Sequence, residues 1–179
     1  MEGNDVYVAG REENASKNHV AILWKNGTAI SLSDGISNAK AYSVCVYNND
    51  VYVAGFVDNA QRRAVATVWK NGVAQSLHTS RMNEAFALSV YVLDNDVYVA
   101  GNERNVVKLW KNGIEESLTY GTSEAEAWSV FVSGNDVYVA GSEKNEDGIY
   151  VPKLWENGKE KNFITKGNRD AKAFSVFIK

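Results

Sequence analysis

Residues 89–113 read SVYVLDNDVYVAGNERNVVKLWKNG, and three pieces of this stretch return along the chain. Asn-Asp-Val-Tyr-Val-Ala-Gly occurs at 4–10, 49–55, 95–101 and 135–141. Trp-Lys-Asn-Gly occurs at 24–27, 69–72 and 110–113, with Trp-Glu-Asn-Gly at 155–158. Ser-Val-x-Val starts at Ser43, Ser89 and Ser129, and its last copy, from Ser175, ends in Ile178. The 179 residues are therefore four copies of one unit about 45 residues long, with approximate boundaries 1–47, 48–93, 94–133 and 134–179, read together as a single domain.

Each unit reads as four short strands. Asp50 to Gly55 is an unbroken β-prone apolar run, the pattern of a strand buried on both faces. A second run ends at Trp69 and meets Asn71-Gly72, the strongest short hairpin signal, because a type I′ turn needs positive φ at both central residues. A short strand follows around Ala74 to Leu77, and a fourth runs from Ala85 to Val92. Four antiparallel strands repeated at this period make a β-propeller blade. With strands named a to d from the axis outward, Ser-Val-x-Val is a, Asp-Val-Tyr-Val-Ala-Gly is b, the Trp strand is c, and the strand after Asn-Gly is d.

The fold expected is thus all-β, a propeller of four four-stranded antiparallel blades. Its ring is closed by the C-terminal strand a (Phe174 to Ile178) pairing with the N-terminal strand b, which removes open edges. A closed four-bladed monomer is the preferred form. A homodimeric eight-bladed ring, each C-terminal strand completing the partner's first blade, is the alternative. Alternation along strand a puts Ala41, Ser43 and Cys45 on one small face. Trp24, Trp69, Trp110 and Trp155 occupy one repeat position and are read as core. Pro152 stands where strand c has Ala21, Ala66 and Val107, so a late strand start or a bulge is expected there.

The a–b segment, for example Ser129 to Gly141, resembles the hairpin of bacterial propeller repeats of the NHL and related types. With Trp-Lys-Asn-Gly added, the unit looks like tandem repeats of bacterial exported proteins and lipoproteins. That resemblance covers essentially the whole chain. It implies a propeller and an extracytoplasmic or cell-envelope setting, and it brings no catalytic residue. The Gly-His and Trp-Asp signatures of WD repeats and the Asp-box of sialidases are absent.

Spacings locate where function would sit. Strand-a Ser to strand-b Asp is seven positions in all three internal cases, and Trp to the d-strand apolar residue (Leu32, Leu77, Leu118, Phe163) is eight in all four. From the b-strand Gly to Trp the count is 14, 14, 9 and 14, and from the d-strand residue to Ser it is 11, 12, 11 and 12. All length variation therefore falls on the b–c and d–a loops, at one end of the strands. Binding residues concentrate on loops held by a rigid scaffold. The candidate binding residues are Lys40, Phe86, Glu126 and Lys172, which share one repeat position at the mouth of the axis, together with Arg62, Arg63, Arg104 and Tyr120 on the loops. Arg81 and Met82 lie on the same loops.

Composition narrows the classes. Nineteen Lys and Arg against 22 Asp and Glu give a net charge of −3, which argues against nucleic acid as partner. No apolar run approaches the ~18 residues of a membrane span. His19 and His78 occupy unrelated repeat positions, and no metal-ligand spacing or phosphate-binding loop is present. Asp5, Asp50, Asp96 and Asp136 each follow Asn in a tight turn and are read as acceptors of backbone hydrogen bonds. No metal, cofactor or catalytic set is expected. The reading is a non-catalytic binding or scaffold domain with a protein or glycan partner; the alternatives are a structural spacer without a ligand and, less favoured, an enzyme.

Overall fold

The computed structural model describes residues 4–77, 83–161 and 169–179. The expectations on His78, Arg81, Met82 and Phe163 fall outside these. Fifteen strands form among the described residues, all in antiparallel sheets of sequence order. The first sheet has three: β1 (Tyr7–Glu13), β2 (His19–Lys25) and β3 (Thr28–Ser31). The other three sheets have four each. They are β4 (Ala39–Tyr47), β5 (Asp50–Asp58), β6 (Ala64–Lys70) and β7 (Val73–Ser76); β8 (Ala85–Leu93), β9 (Asp96–Glu103), β10 (Val106–Lys111) and β11 (Ile114–Ser117); then β12 (Ala125–Ser133), β13 (Asp136–Lys144), β14 (Tyr150–Glu156) and β15 (Lys159–Lys161). These are strands a, b, c, d of the repeat, and the first sheet lacks an a strand. Residues 169–179 form no strand. Contacts divide the chain into two compact units, Met1–Ala87 and Leu88–Lys179, and the boundary falls inside β8.

Turn chemistry explains the sheets. Asn26, Asn71, Asn112 and Asn157 have φ near +52°, each followed by a glycine of positive φ, as a type I′ turn requires. The a–b turns follow the same rule, with Asn48-Asn49 and Asp94-Asn95 at positive φ.

Strand a departs from simple alternation. A bulge sits between Ala41 and Ser43 in β4, where Ala41 faces Gly55 and Ser43 faces Ala54. Another sits between Ala127 and Ser129 in β12. One extra residue shifts the pleat, so Ala41 and Ser43 point to opposite faces instead of sharing one. In β12 the buried row is Ala125, Ala127, Val130 and Val132, each at most 4% exposed. The freed Ser129 Oγ accepts the Val176 N–H (3.3 Å), and Ser89 Oγ accepts the Val130 N–H of the next sheet (3.1 Å). The bulge also brings a carbonyl over the b-strand glycine. A Cβ on Gly55 would stand 1.9 Å from the Lys40 carbonyl oxygen, and one on Gly141 would stand 2.0 Å from that of Glu126.

The tryptophans are core. Trp69, Trp110 and Trp155 are buried, packed among b- and c-strand side chains such as Val53 in the first unit and Val139 in the second. Trp24, in the three-stranded sheet, is only half-buried. Val8 there is 51% exposed, against 1% for its repeat equivalents Val53, Val99 and Val139.

Pro152 sits in regular register opposite Ser142, with neither a late start nor a bulge. The N–H at this repeat position points to the d side: that of Ala21 donates to Ser33 Oγ (3.2 Å) and that of Val107 to Thr119 Oγ1 (3.0 Å). Residue 164, the equivalent of these acceptors, is Ile164. A proline that lacks the donor is therefore tolerated, because the b–c ladder never used it.

Candidate ligand-binding face

The two ends of the strands are built differently. At the a–b and c–d end, one set of contacts repeats. Asp50 Oδ2 pairs with Lys70 Nζ (2.7 Å), and Asp50 Oδ1 accepts from Asn71 Nδ2 (2.7 Å). Asn71 Oδ1 in turn accepts the Val51 N–H (2.9 Å). The lysine lies 5.2 Å from the Tyr52 ring centroid. Asp5 with Lys25 and Asn26, and Asp96 with Lys111 and Asn112, repeat this clasp. The aspartates thus accept side-chain donors from the c–d turn rather than backbone groups of their own turn. Lysine and then asparagine donors hold the carboxyls of Asp5, Asp50 and Asp96 below the ordinary carboxylate value. In the last copy Glu156 replaces the lysine and pairs instead with Lys161 (2.7 Å).

At the other end, three b–c loops share a frame that no spacing revealed. Asn59 Oδ1 accepts the N–H groups of Gln61 (2.9 Å) and Arg63 (3.1 Å). Asn14 does the same for Ser16 and Asn18, and Asn145 for Asp147 and Ile149. The signal in the sequence was an asparagine four places after each of Gly10, Gly55 and Gly141. The frame forces one left-handed residue: Lys17, Arg62 or Gly148. The short third loop is a two-residue turn with Arg104 at φ 51°. The length variation of the b–c loops is therefore two turn types, and Arg62 and Arg104 hold turn positions with exposed side chains.

In the first unit, Lys40 and Phe86 meet over Phe56, the residue after the b-strand glycine. Lys40 Nζ lies 5.8 Å from the Phe56 ring centroid, and Phe86 packs edge-on at 5.2 Å. Tyr42, the residue at the bulge, adds a ring at 6.1 Å from Phe56 and is 44% exposed. Burial pushes its hydroxyl above the usual tyrosine value. Phe56 and Tyr42 were not singled out from sequence, because their place depends on the bulge.

In the second unit, Glu126 and Lys172 pair with each other (2.6 Å), and Lys172 Nζ lies 3.7 Å from the Tyr150 ring centroid. The Tyr150 hydroxyl donates to Glu124, which also pairs with Lys144 (2.5 Å). Those donors, Lys144 first, hold Glu124 low, and the Glu124 carboxylate followed by burial pushes Tyr150 up. The charges here are spent on one another. Tyr120 stands alone, 96% exposed, on the turn closed by Gly121. Among the described residues, no group of three His, Cys, Asp or Glu side chains converges as a metal site. Among the same described residues, no helix is long and apolar enough to cross a membrane.

No family model matches the chain, and no curated protein matches it. Among solved structures it is similar to the β-propeller domain of the Trilobed protease from Pyrococcus furiosus, described as an open velcro topology, at 13% identity and TM-score 0.54. It is also similar to the extracellular domain of BT4673 from B. thetaiotaomicron, at 13% identity and TM-score 0.56. These matches cover 91% and 99% of this chain but 49% and 24% of the respective partners, so the chain spans about half of one neighbour and a quarter of the other. Identity this low carries the fold alone: the sheets of this chain have the architecture of β-propeller blades.

Proposed function

We propose that the chain is a non-catalytic binding propeller that takes a protein or glycan ligand on the end carrying the b–c and d–a loops. The contrast between the two strand ends carries this reading. One end spends its polar side chains on a clasp repeated from sheet to sheet. The other holds three of its b–c loops on one asparagine frame yet carries different side chains at one repeat position: Lys40, Phe86, Glu126 and Lys172. A rigid frame with varied display is the arrangement of a binding surface. The spacer reading is favoured by one observation, the self-neutralised cluster of Glu124, Glu126, Lys144, Tyr150 and Lys172, which leaves the second unit little free charge.

We infer further that the first sheet gains its fourth strand from residues 174–178 of the same chain. This gives each of the four sheets an a strand. The exposure of Val8 and the conserved spacing up to Gly10 support it, since both match positions that face an a strand elsewhere. A native mass near 19.7 kDa is expected on light scattering, and twice that mass points to the two-chain ring.

Binding is tested by capture from the native source on immobilised full-length chain, comparing wild type with the K40E/R62E/R104E variant. Saturable capture lost in a variant of unchanged melting temperature is the expected result. Equal capture by both removes this face from the reading.

A further inference from the structure

The first unit contains a polar cleft of about 230 Å³ lined by Asn18, Ser37, Asn38, Asp58, Asn59 and Arg62. Hydrogen bonds hold its asparagines and its aspartate. Asn18 Nδ2 donates to the carbonyls of Gly35 (3.1 Å) and Ile36 (2.9 Å). Asn38 Oδ1 accepts the His19 N–H (3.0 Å), and its Nδ2 donates to Asp58 Oδ2 (3.3 Å). Asn59 Oδ1 is taken by its own loop. This leaves Asn18 Oδ1 and Asp58 Oδ1 as acceptors, and Asn59 Nδ2 and the Arg62 guanidinium as donors, with no side-chain partner among the described residues. Ile36, 79% exposed, supplies an apolar rim.

The same place in the second unit is filled. Asp58 N–H donates to the Asn38 carbonyl (2.8 Å), as Lys144 N–H donates to that of Glu124 (2.9 Å), so the two pairs are equivalent. There the side chains are oppositely charged and bond to each other (2.5 Å). In the first unit an amide faces a carboxylate, and no cation is paired with Asp58 among the described residues.

Resting on the binding reading above, we propose that this cleft holds one hexopyranose ring of a neutral glycan. A carboxylate and a guanidinium lining one opening disfavour ligands of either net sign. Acceptors and donors set around one opening suit a ligand whose every hydroxyl both donates and accepts. The volume lies below the ~300–1,000 Å³ of sites for drug-sized ligands, which limits the cleft to one ring. Ile36 meets the C–H face of the sugar.

The test is a titration of isotope-labelled full-length chain with gluco-, manno- and galacto-oligosaccharides at millimolar concentration, followed by amide NMR. Saturable shifts of the Asn18, Asn38 and Asn59 side-chain amides are expected with at least one of them. D58N and R62G should weaken that affinity roughly tenfold or more, the effect of losing one charged hydrogen bond. Both variants keep the fold: D58N retains an acceptor for Asn38, and R62G places at φ 57° the residue type that Gly148 provides in the equivalent turn. No shift with any sugar overturns the proposal, and so does a shift confined to Lys40, Phe56 and Phe86, which leaves the broader binding reading standing. Sugar binding at the cleft alongside capture unaffected by K40E/R62E/R104E supports the cleft as the site on this face and removes capture of a larger partner from the reading.

Discussion

Substituting Gly141 by alanine tests the closest approach in the fold. The new Cβ would sit 2.0 Å from the Glu126 carbonyl oxygen and 3.1 Å from the Ala127 Cα. Both neighbours are backbone, so no side chain can swing clear. Reaching even a tight 3.0 Å contact requires β12 to retreat by 3.0 − 2.0 = 1.0 Å. That movement strains the bulge and stretches the β12–β13 ladder. Overpacking costs about 1–3 kcal/mol, and a weakened ladder bond adds about 1 kcal/mol. A loss of about 2–4 kcal/mol is expected by urea denaturation with unchanged slope. G55A, with its Cβ 1.9 Å from the Lys40 oxygen, should behave alike. G10A is the informative contrast. Its Cβ meets the tip of Trp24 at 2.8 Å and no backbone, so an open first sheet predicts a loss of about 1 kcal/mol or less. If residues 174–178 complete that sheet, G10A should cost as much as G141A. A G141A loss below about 1 kcal/mol would refute the close-approach argument itself.

Asp5, Asp50 and Asp96 should titrate below the ordinary 3.8 by carboxyl NMR. Because their folded values are depressed, the stability they lend is present above pH 3.8 and is lost as pH falls through the lowered values; an Asp50 midpoint at or above 3.8 contradicts the clasp. Replacing Lys108 by methionine removes the cation that pairs with Glu103 (3.1 Å) and Glu115 (3.3 Å), and should destabilise by about 1.5–3 kcal/mol in thermal or urea melts, the effect of losing charged hydrogen bonds. The K108M/E103Q double variant should recover part of that loss. Asn59→Ala removes the acceptor for two loop N–H groups and should cost about 1–2 kcal/mol, with faster amide exchange at Gln61 and Arg63 than elsewhere.

The repeat was legible because turn chemistry and apolar period are local. Asn-Gly after each tryptophan and the unbroken Asp-Val-Tyr-Val run name a hairpin and a buried strand without reference to anything distant. What escaped depends on a third partner. The bulge after Ala41 or Ala127 leaves no mark in an alternating run, yet it decides which face carries Ser43 and Ser129 and it brings Tyr42 beside Phe56. Pro152 looked disruptive because a strand was taken to need every N–H; the structure gives that donor to a side chain outside the ladder. The aspartates were assigned to the nearest backbone, while their partners lie about 20 residues on, in a turn the sequence had located but not connected. At the binding end, Lys40 and Phe86 do meet, through Phe56. Glu126 and Lys172 also meet, as a pair that cancels its own charge. Arg62 was found for its charge and lines a cleft with Asn18, Asn38 and Asn59, a residue type that reads as turn or solvent in a single sequence.

The clasp joining Asp50 to Lys70 and Asn71 has a bearing on how such a chain can lengthen. Both halves lie within one stretch of 22 residues, from Asp50 to Asn71, so a duplicated gene segment inherits a finished fastening. The serine bond from one sheet to the next is different in kind, since its donor always belongs to the following copy. Heredity can therefore add or remove whole blades without breaking the first type of joint, and must remake the second at each new seam, along with neighbours such as the Ala127 N–H bond to Asn102 Oδ1 (2.8 Å).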